Sequence, residues 1–363
     1  MTGPRHNGHA HVLAGHDVGV APSGYADVPR AHGPSKAKDF TSDQEVRWCP
    51  GCGDYVILAT VRSILPELGL ARENIVFVSG IGCSSRFPYY LDTYGVHSIH
   101  GRAPTFATGL AITRPDLSVW VITGDGDGLS IGGNHLIHVL RRNVNMRILL
   151  FNNRIYGLTK GQYSPTSETG KVTKSTPRGS VDTPFNTMSL AIGADASFVA
   201  RALDSDRAGL GEVLRAAAQH RGTAFVEILQ DCPIFNDGSF DLLRKDEAGA
   251  HRVHVRHGEP IVFGVDDELC VVQKGFGLAV ANVVDVDPDD IVVHDAHTDD
   301  PEYAYALSRL SRQDLTYTVT GVVRAVSRPT YDDGVRAKVR SAEESAPADL
   351  QGLLDGTNTW TVS

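Results

Sequence analysis

Cysteine is scarce in this chain: five in 363 residues, at irregular spacing, which excludes the disulfide framework of a small secreted domain. In a reducing compartment such cysteines are metal ligands or buried thiols. Long apolar runs are missing too. None approaches the roughly 20 residues that cross a bilayer, and the opening MTGPRHNGHAHVLAGHD lacks a secretory apolar stretch, so a cytoplasmic protein is expected. Basic blocks are also absent. With 34 Lys and Arg against 43 Asp and Glu the net charge is −9, which leaves no electrostatic footprint for nucleic acid. What the chain does have is a 41% apolar fraction, enough to bury the core of one large domain or two ordinary ones.

Residues 1–40 mix Gly, Pro, Ala and polar residues without a sustained period, which predicts a mobile extension, with the ordered body starting near Phe40. His6, His9, His11, His16 and His32 fall there, and without a fold around them they predict at most adventitious metal capture. From Cys52 onward helical and extended patterns alternate. Helices are expected at Asp54 to Leu68, Pro104 to Thr113, Gly133 to Arg141, Pro184 to Gly193 and Asp206 to His220. The strands between them are Asn74 to Ser79, Ser118 to Thr123, Met146 to Asn152, Ala196 to Ala200 and Thr223 to Leu229. The alternation predicts an α/β fold, a mostly parallel sheet with helices on both faces. Ligands on such sheets bind beyond the carboxyl ends of the strands.

Two signatures fall at those ends. Gly124-Asp125-Gly126-Asp127-Gly128 follows the run SVWVIT, has no bulky side chain before Leu129, and lets the backbone approach a diphosphate closely. Asn152-Asn153 ends the run MRILLFN. One carboxylate, one amide oxygen and a loop carbonyl suit a hard divalent cation that keeps coordination free for phosphate. A nucleotide is the plainer ligand for such a loop. The spacing from Gly-Asp-Gly to Asn-Asn, with its continuation Arg154-Ile155-Tyr156-Gly157-Leu158-Thr159, resembles the thiamine diphosphate motif. That resemblance implies magnesium held by Asp125, Asn153 and the backbone carbonyl of Ile155.

The cysteines form the second signature. Cys49-Pro50-Gly51-Cys52 reads as half of a zinc knuckle, but no second such pair follows. Cys83 instead follows NIVFVS, and Cys232 follows TAFVEIL, so both emerge at the same edge as Asp125. Four thiolates there suit a cubane iron-sulfur cluster. Cys270, inside the apolar run ELCVV, reads as a buried inert thiol.

Taken in order, WCPGCGD, GIGCSSRFPYY, HGRAPTFATGLA, GDGDGLSIGGNH and FNNRIYGLTKGQYSPTS resemble the beta subunit of 2-oxoacid:ferredoxin oxidoreductases, most of all the 2-oxoglutarate type, over about residues 47–237. The resemblance implies one 4Fe-4S cluster on Cys49, Cys52, Cys83 and Cys232, thiamine diphosphate with Mg2+, and electrons passed to ferredoxin. It also implies an alpha subunit that completes the site, in a dimer of heterodimers, with a 2-oxoacid and coenzyme A as substrates. The chain then divides into the extension 1–40, a cofactor-binding domain at 41–239, and a C-terminal extension at 240–363 that contacts the partner.

Cofactor contacts are implied for Cys52, Gly53, Asp54, Ile81, Gly82, Cys83, Ser84, His100, Gly124, Asp125, Gly126 and Asp127, and further for Asn153, Ile155, Gly157, Leu158 and Thr159. His100 and Arg102 follow the family's position near the cofactor and are the candidate catalytic residues; ordinary loop hydrogen bonding is the alternative. Asp54 either orients the cofactor or caps the helix that starts there. Lys160 and Gln162 lie on a loop that could close over the site. Arg86, Arg102 and Lys160 are the cations that could read a second substrate carboxylate. Pyruvate, branched-chain 2-oxoacids, a non-redox thiamine reaction and a zinc-stabilised nucleotide-binding module are the competing readings.

Overall fold

The computed structural model describes residues 23–245, 248–345, 348–360 and 362. Five mostly apolar, buried strands form its centre, β1 (Ile75–Ser79), β3 (Ser118–Gly124), β4 (Met146–Asn152), β5 (Phe198–Leu203) and β6 (Thr223–Leu229), and the short exposed β2 (Tyr94–His97) lies at the edge beside β1. With β7 (Arg252–Val255) and a long strand at Thr318–Ala325 they make one eight-stranded sheet. A separate three-stranded antiparallel sheet holds β8 (Val262–Phe263), β9 (Leu269–Lys274) and β10 (Gly277–Asn282), so the long strand is β11. The main order is β2-β1-β3-β4-β6-β5-β11-β7, and every neighbouring pair is parallel except β5 with β11.

Alternate residues of the central strands feed opposite faces, as the two-residue period of a strand requires. In β4, Leu149 and Phe151 join Trp120, Val226 and the buried stripes of α1 (Asp54–Leu68) and, beyond it, α5. Met146, Ile148 and Leu150 face the other way, onto α2 (Ala103–Thr113), α3 (Gly133–Arg142) and α4 (Thr187–Gly193). α5 itself runs Arg207–Gln219 and starts at Asp206, whose side chain accepts from the Gly209 N–H at 3.0 Å. Helices on both faces bury the sheet, which is why β3, β4 and β6 need no polar alternation.

Two expectations change. Packing starts earlier than Phe40: Tyr25 and Val28 are in the core, and the Gly24 N–H bonds to the Gln219 carbonyl at 2.8 Å. His32 is exposed, and His6, His9, His11 and His16 lie outside the described residues. The strand expected at Ala196 to Ala200 begins at Phe198, because the Ala196 N–H still closes the end of α4 on Ala191.

Candidate active site

At the carboxyl end of β3 the chain turns through Gly124–Gly128, and every polar atom of Asp127 is used at once. Its Oδ1 accepts from the N–H of Ile81 (3.0 Å) and of Gly101 (2.7 Å) and lies 2.6 Å from His100 Nδ1, while Oδ2 accepts from Thr123 Oγ1 at 2.6 Å. The side chain is 1% exposed, and these four contacts hold it inside the protein. Asp127 therefore ties the loops after β1, before α2 and after β3 together. Gly80 makes room for it: a Cβ there would sit 1.9 Å from Asp127 Oδ2. His100 is held through Nδ1, so Nε2 is the ring atom left for other partners.

Asp125 differs from Asp127 although the two share a Gly-flanked sequence. It is 3% exposed, and two hydroxyls meet its Oδ2: Ser164 Oγ at 2.5 Å and Thr166 Oγ1 at 2.6 Å. Burial pushes its carboxyl up to about 6, against the pull of those two hydroxyls and of the backbone N–H groups of Gly126 and Asp125. A buried carboxylate with hydroxyls but no cation on it is what a divalent ion would neutralise. Asn153, opposite on β4's end, accepts from the Ile155 N–H at 3.2 Å and gives its Nδ2 to Gln230 Oε1 at 3.0 Å. Asn152 serves the fold instead. Its Nδ2 bonds Glu227 Oε1 at 2.6 Å, and Glu227 pairs with Arg201 at 2.6 Å, a polar ladder across β4, β6 and β5 beneath the site.

The four cysteines come to the same edge. Cys49 is exposed, Cys52 buried, and Cys83 and Cys232 half-buried. A Cβ on Gly157 would lie 3.4 Å from Cys83 Sγ and 3.8 Å from Cys232 Sγ, so both sulfurs border the loop that carries Ile155. Burial first, then the Asp54 charge, then the Cys232 and Cys49 thiolates, push the Cys83 thiol up to about 12; burial and Asp54 lead for Cys52 as well. Mutual repulsion among thiolates means they sense one another, and it is relieved by bound positive charge. Among the described residues no three His, Cys, Asp or Glu side chains are gathered for a single metal ion. A mononuclear ion draws its sulfurs to within about 2.3 Å of one point, whereas a cubane spreads its four ligands over a cluster.

Asp54 is 1% exposed, caps nothing, and has neither carboxylate oxygen hydrogen-bonded; its nearest donor is the Cys52 thiol. Burial pushes it up to about 7, with the Asp204 charge adding to the rise. The capping alternative is thereby removed. Gly53 packs against Asp204, whose Oδ2 would lie 1.8 Å from an added Cβ, and Ser84 Oγ lies 3.5 Å from the Cβ position of Gly124.

A cavity of about 440 Å³ opens beside this edge, lined by Ile81, Gly82, Arg86, Tyr89, His97 and Leu158 among others. Arg86 has no hydrogen-bond or ion-pair partner among the described residues, and its charge is felt at Cys83. Arg102 donates to the Ile131 carbonyl at 3.2 Å, and neither it nor Lys160 lines the cavity. Lys160 stands at φ +77° in a tight loop where the Tyr156 N–H reaches the Gln162 carbonyl at 2.9 Å and Thr159 Oγ1 lies 2.5 Å from Gln162 Oε1. A larger cavity of about 540 Å³ between α5 and β11 carries none of the motif residues.

Ser164, Thr166 and Gln230 belong to the site and were not singled out from sequence. Ser164 and Thr166 lie inside the matched segment GQYSPTS, which was their only signal. Gln230 had none.

Residues 80–228 match the thiamine pyrophosphate enzyme, C-terminal TPP binding domain. The chain is 71% identical over 355 residues to 2-oxoglutarate oxidoreductase subunit KorB of Mycobacterium tuberculosis, covering 96% of this chain and 95% of that one. It is 46% identical over 192 residues to the 2-oxoacid:ferredoxin oxidoreductase subunit beta of a Sulfolobus species, covering 52% and 63%. Its fold is similar to the solved 2-oxoglutarate:ferredoxin oxidoreductase from Magnetococcus marinus with 2-oxoglutarate, coenzyme A and succinyl-CoA bound: TM-score 0.73, 34% identity, covering 92% of this chain and 99% of that one. The Gly-Asp-Gly loop and four cysteines at one sheet edge, within a chain so related over nearly its whole length, make it a member of the family of thiamine diphosphate-binding beta subunits of 2-oxoacid:ferredoxin oxidoreductases.

Proposed function

We infer that this subunit, joined to an alpha subunit, oxidatively decarboxylates 2-oxoglutarate with coenzyme A to succinyl-CoA and CO2 and passes the electrons to ferredoxin. The observation that carries this reading is the meeting at one edge of Asp125 and Asn153, the four cysteines, and a cavity holding the unpaired Arg86. The relatives named for 2-oxoglutarate, and the neighbour with 2-oxoglutarate and coenzyme A bound, support the substrate.

Asp125, Asn153 and the Ile155 carbonyl are the proposed Mg2+ ligands. Cys49, Cys52, Cys83 and Cys232 are the proposed ligands of a 4Fe-4S cluster. When bound, thiamine diphosphate supplies a nucleophilic carbon and a sink for the electron pair that CO2 leaves behind. The chain's own residues shape the site around it. Gly124 brings backbone to the diphosphate, Gly126 and Gly128 make room for the Tyr156 ring and for Thr123 and Leu150, His100 offers Nε2 to a proton, and Leu158 and Ile81 supply apolar lining to the cavity. The C-terminal 240–363 stretch is the proposed partner contact, in a dimer of heterodimers.

Turnover tests the reading. Co-purified with its alpha subunit and supplied with coenzyme A and a low-potential acceptor, the protein should oxidise 2-oxoglutarate with a far higher kcat/KM than pyruvate, while the beta chain alone should be silent. Equal or better turnover of pyruvate rejects the substrate; activity of the lone chain rejects the shared site.

The Mg2+ assignment has a test in stability. Asp125 titrates higher in the folded chain than its ordinary 3.8, so the fold holds more protons than the unfolded chain; that contribution is intact below about pH 4 and lost as pH rises through about 6. In chelator-treated, thiamine-free protein, Asp125→Asn should therefore gain stability relative to wild type between pH 4 and 7, by up to about 3 kcal/mol. With saturating Mg2+ and thiamine diphosphate the order should reverse. Denaturant melts at both pH values check this, and an unchanged order with both ligands present would count against the magnesium role.

A further inference from the structure

Gln230 sits where β6 ends and spans the two proposed cofactor sites with a single amide. It is 2% exposed. Its Oε1 accepts from Asn153 Nδ2 at 3.0 Å, and its Nε2 lies 3.4 Å from Cys52 Sγ and also donates to the Asp231 carbonyl. The amide orientation is fixed by its neighbours: Asn153 offers a donor and Asp231 a carbonyl, so a flipped amide would oppose like groups at both ends. The backbone it hangs from is fixed too, with the Gln230 N–H on the Asn152 carbonyl at 2.9 Å and the Asp231 N–H on Asp204 Oδ2 at 2.8 Å. Arg244 closes the arrangement from outside, paired with Asp204 and, at 3.2 Å, with Asp231.

The two ends of the amide do different things. Holding Nδ2 of Asn153 turns Oδ1, the atom a hard cation takes, to the other side, where it accepts from the Ile155 N–H at 3.2 Å and keeps a second lone pair. An N–H aimed at a thiolate sulfur stabilises the more negative, reduced form of whatever that sulfur ligates, and so raises its potential. We propose that Gln230 is a positioning residue for both cofactors, orienting Asn153 toward the cation through its oxygen and tuning the iron-sulfur centre through its N–H to Cys52. The proposal rests on the cluster and Mg2+ readings above. It adds that one buried side chain couples them, which places the electron acceptor one amide away from the diphosphate motif.

The two ends can be cut separately. Gln230→Met removes both hydrogen bonds at similar length. Gln230→Glu keeps an acceptor for Asn153 and removes the donor to sulfur. In the purified alpha-beta enzyme at pH 8, the Met variant should weaken thiamine diphosphate binding at fixed Mg2+ about tenfold or more and lower the midpoint potential of the cluster. A tenfold change in the one-electron equilibrium is 59 mV. The Glu variant should lower the potential at least as far while holding thiamine diphosphate within about threefold of wild type. Redox titration followed by the paramagnetic signal, and fluorescence titration with thiamine diphosphate, read the two ends independently of turnover. An unchanged potential in both variants overturns the proposal, as does equal loss of thiamine diphosphate affinity in both. Wild-type enzyme without iron would instead sink the cluster reading beneath it.

Discussion

Serine at Cys49, Cys52, Cys83 or Cys232 should each strip iron from the purified enzyme, abolish the paramagnetic signal of the reduced centre, and end electron delivery to a ferredoxin-like acceptor, a loss of at least 10³-fold in 2-oxoglutarate-dependent reduction. A hydroxyl ionises far less readily than a thiol and binds iron less softly, so one serine in four removes a ligand, not merely an atom's polarisability. The positions are not equivalent. Cys52 is buried beside an orphaned Asp54 carboxyl, so its serine variant also leaves polar groups buried without good partners, whereas Cys49 is exposed and its serine is solvated. Cys49→Ser is thus the cleaner test. The control is Cys270→Ser. That thiol is fully buried in β9 of the small sheet, 3.7 Å from the Ala281 carbonyl, and serine there should cost about 1 kcal/mol and leave iron content untouched. Iron analysis decides: a Cys49→Ser enzyme with its full complement refutes the ligand set, and a Cys270→Ser enzyme that loses iron does the same.

How much of this was legible in the sequence depends on how local each cause is. The parallel strands were legible almost to the residue, because β3, β4 and β6 are mostly apolar and covered on both faces. β2 was not: its four residues are all exposed at the sheet edge, so no burial pattern marks them. Nor were β7 and β11, which pair in the main sheet although the small antiparallel sheet comes between them in sequence; β5, the other neighbour of β11, lies more than a hundred residues before it. The site divides the same way. Asp125 and Asn153 announce themselves through spacing. Asp125 and Asp127 look alike in GDGDG, yet one faces hydroxyls and the other is consumed by three loops, a difference set by contacts 26 and 46 residues away. Gln230 reaches Cys52 across 178 residues, a link that only the closed sheet makes. The first stretch of chain misled for a related reason. Gly and Pro in residues 23–40 suggested an unpacked arm, but Tyr25, Val28 and Phe40 are spaced too widely to show a period and are buried one by one against the first helix layer.

Replacing Arg86 with Met should separate 2-oxoglutarate from pyruvate. A second substrate carboxylate taken out of water needs a cation or several donors at the far end of its pocket, or several kcal/mol are lost. Of the three cations considered for that role, only Arg86 lines the cavity beside Ile81, Gly82 and Leu158, and it has no acceptor of its own among the described residues. The guanidinium is also suited to the task, since its fork meets a carboxylate through two parallel N–H donors. Loss of a charge pair of this kind costs roughly 2–5 kcal/mol, so kcat/KM for 2-oxoglutarate should fall about 30- to 5,000-fold. Pyruvate has no second carboxylate and should change less than about fivefold, which makes it the internal control: Arg86 also lies close enough to Cys83 for its charge to be felt there, and any shift of the iron-sulfur centre would slow both acids alike. Arg86→Lys should recover part of the loss, because an ammonium keeps the charge and gives up the fork. Equal falls for both acids in the Met variant would show that Arg86 serves the cluster or the fold, and would move the search for the carboxylate's partner to the alpha subunit.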